Sequence, residues 1–69
     1  MTLEEDKILL YRDRISNWHL VLISKVSRGA SIKECDQILK SIHNSYIKLN
    51  QWHQRLKQKH RQMYLQSVN

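Results

Sequence analysis

The sequence predicts an all-α fold: an antiparallel two-helix hairpin, coiled-coil-like in its packing, stable only with a partner or as an oligomer. Three observations predict it. The 69 residues include no Pro, no Phe and a single Gly, which leaves little from which to build a sheet with its turns. Apolar residues recur at spacings of three and four along most of the chain, the period of a helix face. The one glycine, Gly29, falls between two stretches that each open with a helix-capping signature.

The first helix is expected over 3–28. Thr2-x-x-Glu5 reads as a capping box, in which side-chain oxygens satisfy backbone N–H groups that lack an intrahelical partner. Glu4, Glu5 and Asp6 sit at the positive end of the helix dipole. Ile8, Tyr11, Ile15, Trp18 and Leu22 then form one stripe. The turn is expected at 29–31, because glycine readily takes the left-handed conformation that closes a helix. Ser31-x-x-Glu34 is a second capping box and starts a helix expected over 32–64. Cys35, Ile42, Leu49, Leu56 and Met63 make an unbroken seven-residue repeat, with Ile38, Leu39, Tyr46 and Trp52 beside it. Residues 35–52 read as the inward face of the hairpin. So short a connection folds the second helix back on the first, with residue i facing roughly residue 60 − i. Trp18 is then expected near Ile42, Tyr11 near Leu49 and Ile8 near Trp52, and everything past about Lys57 overhangs.

Residues 1–69 are one domain, with little material for a core. A lone Cys35 excludes an internal disulfide, and no Cys/His cluster has zinc-finger spacing. Chains this small usually need a staple or a partner. Leu20, Val21, Leu22, Ile23 and Val26 make the first helix apolar nearly all round, more than one neighbouring helix can cover. We expect Trp18, Leu20, Leu22, Ile23 and Val26 to form a partner-binding surface, contacting a helical protein or a second copy of the chain.

Twelve Lys and Arg against six Asp and Glu give a net charge of +6, unevenly placed. Residues 1–36 hold every acid and balance to zero, whereas 37–69 hold six bases and no acid. The basic C-terminal end makes Arg55, Lys57, Lys59 and Arg61 candidate contacts to an anion. A dimeric nucleic-acid-binding regulator is therefore the alternative function. In the register above, the same bases fall opposite Glu4, Glu5 and Asp6, so interhelix ion pairing competes with that reading.

Little points to catalysis. The four histidines have no metal-ligand pattern, Cys35 occupies an apolar stripe position, and there is no glycine loop to cradle phosphate. The expectation is a non-enzymatic protein without cofactor, metal or small-molecule substrate. The acidic start does not resemble a signal peptide, and the longest apolar run, Leu20-Val21-Leu22-Ile23, is too short to span a bilayer. A cytoplasmic location is expected, consistent with a single unpaired thiol.

The turn Arg28-Gly29-Ala30, the start Met1-Thr2-Leu3-Glu4 and the apolar positions 38, 42 and 49 resemble the small co-chaperones of type III secretion needle subunits. The resemblance covers about residues 8–52. Seven residues past the Arg, where that family commonly has an aromatic, this chain has Cys35. The resemblance implies a hairpin that packs on a helical-repeat chaperone and helps to keep a needle subunit from polymerising in the bacterial cytoplasm. It further implies that the stretch from Leu20 to Val26 is the docking surface.

Overall fold

A computed structural model describes residues 1–68, with side chains described through residue 65. Two helices make up the fold: α1, Leu3–Ser27, and α2, Ile32–Val68. They pack against each other as a hairpin, and no strand occurs among the described residues. The molecule is a rod of 60 × 19 × 12 Å with a radius of gyration of 16.9 Å, where a compact domain of this length would have about 11 Å.

Both predicted starts are built by local hydrogen bonds. The Glu5 N–H donates to Thr2 Oγ1 at 3.2 Å, and the Thr2 hydroxyl donates to Glu5 Oε1 at 3.3 Å. The Glu34 N–H donates to Ser31 Oγ at 3.2 Å. Helix α1 ends in a Schellman motif: the Ala30 N–H donates to the Lys25 carbonyl and the Gly29 N–H to the Val26 carbonyl, both at 3.0 Å. Gly29 has φ +77°, the left-handed conformation this motif requires. The expected helix over 3–28 thus ends one residue earlier, with Arg28 as its cap. Helix α2 continues past the expected end at 64, reaching Val68. Its last turns contain no Gly or Pro to stop it.

The seam follows the seven-residue pattern. Among the described residues, Ile8 and Ile15 of α1 and Ile38 and Ile42 of α2 are the buried apolar ones, with Ser45 also buried. Tyr11, Trp18, Leu22, Cys35, Leu49, Trp52 and Leu56 are half-buried along the same line. Ser45 is satisfied inside its own helix, its hydroxyl donating to the Ser41 carbonyl at 2.9 Å. One polar pair extends the seam: Lys59 Nζ donates to Glu4 Oε2 at 3.4 Å. Trp18 lines one groove with Ile38 and Ser41, in the turns that flank Ile42, and Arg12 and Ile15 share a hollow with Tyr46 and Leu49, as a register near 60 − i requires. From Lys57 onward the described side chains are exposed.

Candidate docking face

Each helix must bury its seam residues against the other, so the functional question concerns what remains outside. Among the described residues, fifteen large apolar side chains are exposed, against four apolar residues buried. Scattered exposed apolar groups are ordinary, but a contiguous set is not.

The two long sides of the hairpin differ in chemistry. One side carries a hollow of about 200 Å³ lined by Tyr11, Arg14, Asn44, Ser45 and Lys48. Nearer the turn on this polar side, a groove of about 340 Å³ has Lys25, Glu34, Gln37 and Ser41 around Trp18 and Ile38. The Arg14 guanidinium lies over the Tyr11 ring, 5.2 Å from its centre. The opposite side carries a hollow of about 240 Å³ lined by Arg12, Ile15, Ser16, Tyr46 and Leu49. Residues seven apart share one row along a helix in such packing. Ser16 therefore places Leu9 and Ile23 on this second side, and Tyr46 places Ile32 and Leu39 there. Val26, one turn after Ile23, borders the same side. Their exposures run from 43% for Leu9 to 89% for Ile32. This side carries exposed apolar residues of both helices, with Arg12 and Ser16 and, by the same rows, His19 and His53 among them.

The residues expected to bind a partner are divided by the structure. Trp18 and Leu22 are half-buried in the seam, whereas Leu20, Ile23 and Val26 are exposed. Ile23 and Val26 belong to the apolar face, and Leu20 lies at its outer border on α1. The sequence reading missed the α2 half. Leu39 and Tyr46 were expected to point inward, yet both are exposed. The signal was present: the row 32, 39, 46 runs beside the row 35, 42, 49, so the apolar stripe of α2 is three positions wide. A helix with one neighbour needs two.

The four candidate anion contacts do not form one patch. Positions four apart share a helix face, whereas positions two apart point away from each other. Arg55 and Lys59 therefore lie on one side of α2, and Lys57 and Arg61 on another. Lys59 is engaged by Glu4. Arg55 lies over the Trp52 ring at 4.6 Å and covers the surface on which a base would stack. The Glu4 carboxyl is held below its ordinary pKa, first by a hydrogen bond from its own backbone N–H at the helix start, then by Lys59 and Thr2. At the other end of α2, Lys40 pairs with Asp36 at 3.5 Å across one exposed turn.

Among the described residues no group of three or more His, Cys, Asp or Glu is placed to hold a metal ion. Cys35 is a half-buried free thiol on the seam. Among the described residues no helix is long and apolar enough to cross a membrane. Comparison with protein-family models, curated proteins and solved structures finds no match for this chain.

Proposed function

We propose that the protein is a non-enzymatic interaction subunit that docks through the apolar face formed by Ile23, Val26, Leu39 and Tyr46. The observation that carries this reading is the exposure of Ile23, Val26, Leu39 and Tyr46, two from each helix. An amphipathic surface of this shape suits a helix laid along it, with anchors one turn apart. A co-chaperone role, in which the hairpin packs on a helical-repeat chaperone in the manner the Arg28-Gly29-Ala30 resemblance implies, is the specific form we favour. A cytoplasmic site of action belongs to the same proposal.

Affinity purification of the tagged full-length chain from its own cells, beside an Ile23→Glu, Leu39→Glu double variant, tests the reading. The unaltered chain is expected to retain a helical-repeat protein, and the variant to lose it. No protein retained by the unaltered chain, or equal retention by both, overturns the proposal. Nucleic-acid binding is the competing function. Its support is the acid-free half of α2, weakened by the division of its bases between two sides of the helix.

A further inference from the structure

We infer that the outward side of α2, centred on Asn50, Gln54, Lys57 and Arg61, is a second binding surface that enters the major groove of double-stranded DNA. It uses none of the residues assigned above to a protein partner, so the two readings stand or fall separately.

The position of this stripe follows from the seam. Ile38, Ser45, Trp52 and Lys59 stand seven apart in the row that faces α1, and Lys59 reaches Glu4. Positions 50, 54, 57 and 61 recur at four and three on the other side of α2, and all four are exposed. Every exposed residue from 50 to 62 is Asn, Gln, His, Lys or Arg. Each of these side chains can donate a hydrogen bond, and none repels a phosphate. Ile47, one turn before Asn50, closes the polar stripe.

Ordinary solvation does not account for this composition. An exposed helix is stabilised by Glu set four residues from Lys. The start of α2 is built in that way, with Lys40 paired to Asp36 at 3.5 Å. No acid follows Asp36, so Lys57 and Arg61, four apart, repel each other instead. The helix dipole does not explain them either. It acts within the last turn, and the last turn of α2 carries no base. Two neighbouring bases are engaged within the chain, Lys59 by Glu4 and Arg55 over Trp52. Lys57 and Arg61 have neither an ion pair nor a ring contact among the described residues. A polyanion laid along the stripe removes their repulsion.

Shape and chemistry identify the polyanion. A helix with its side chains is about 10–12 Å across, which matches the major groove of B-DNA. Beyond Lys59, α2 continues to Val68 with no second helix beside it, so the groove can take it from that end. Asn50 and Gln54 carry the paired donor and acceptor that read adenine. Lys57 and Arg61 neutralise phosphates. Glu4, Glu5 and Asp6 belong to α1, which lies against the other side of α2. Duplex RNA has a deep, narrow major groove that side chains cannot read. Single strands need aromatic platforms, and a lipid surface needs large apolar side chains on the inserted face. Residues 50, 54, 57 and 61 supply neither.

Fluorescence anisotropy of a labelled DNA duplex, titrated with the full chain at several salt concentrations, tests the assignment. Binding is expected at low salt. Lys57→Gln combined with Arg61→Gln removes two phosphate-neutralising charges. Raising salt from about 50 to about 200 mM should then cost about tenfold less affinity than in the unaltered chain. Lys25→Gln with Arg28→Gln lowers the net charge equally at the other end of the rod, and should leave the salt dependence unchanged. No binding by the unaltered chain at low salt overturns the inference, as does an equal effect of the two double variants. Duplex RNA, single-stranded DNA, polyglutamate and phosphatidylserine vesicles are the competitors, and each should displace the duplex poorly. Any of them competing as well as unlabelled duplex DNA overturns the assignment. If the Lys57 and Arg61 variant loses helicity by circular dichroism, this competition on the unaltered chain decides.

Discussion

At the residue scale, Glu4 carries the most specific interaction between the helix ends, because it is tied both to the start of α1 and to Lys59 of α2. Its folded-state pKa lies below the ordinary value of 4.5. A depressed carboxylate pKa contributes stability that is present above the unfolded-state value and is lost as pH falls through the folded-state value. Amide protection in the first turn of α1, taken relative to the intrinsic exchange rate at the same pH, should therefore be greatest near neutral pH and fall as the solution is acidified below about 4.5. Glu4→Gln should remove most of that pH dependence. Exchange that stays equally protected at acid pH in the unaltered chain would count against the tie.

At the element scale, the helix ends are settled by neighbouring residues, and the chain breaks where a single residue tolerates positive φ. Gly29 has no heavy atom within 4 Å of where a Cβ would stand. Gly29→Ala therefore meets no clash, and its effect is the backbone strain of the left-handed conformation alone. A loss of about 1–2 kcal/mol is expected in urea unfolding. The loss should fall on the junction between α1 and α2, since the helix interiors are untouched. This is why the element boundaries were legible from residues 2, 5, 29, 31 and 34. Capping is a matter of hydrogen bonds spanning three to five residues, and the atoms that make them are encoded together. The far end of α2 was less legible because nothing local stops it, and helix continues through residues that merely permit it.

At the scale of the whole molecule, the buried apolar core among the described residues is four isoleucines, none of them below 6% exposure. Ile42→Ala removes part of that core, and comparable deletions cost about 2–5 kcal/mol. For a two-helix chain this is expected to abolish cooperative thermal unfolding. Ile47→Ala, at a position 42% exposed, should change stability by less than about 0.5 kcal/mol. Equal effects of the two substitutions, read by circular dichroism, would contradict the assignment of inside and outside. The seam continues only while α1 is present to cover it, so Met63 on the overhang is 59% exposed although it keeps the seven-residue repeat.

The sequence by itself determined that the protein is two helices, where each begins, and that the chain reverses at Gly29. These follow from side chains acting on their own backbone. It also showed that the apolar surface exceeds what one helix can cover on another. Only the tertiary structure decided which residues form the excess. Which residues stay outside depends on how two surfaces interdigitate rather than on any local hydrogen bond. Trp18 and Leu22 lie in the seam. Leu39 and Tyr46 stand outside it, beside Ile23 and Val26, on a face that neither helix displays alone.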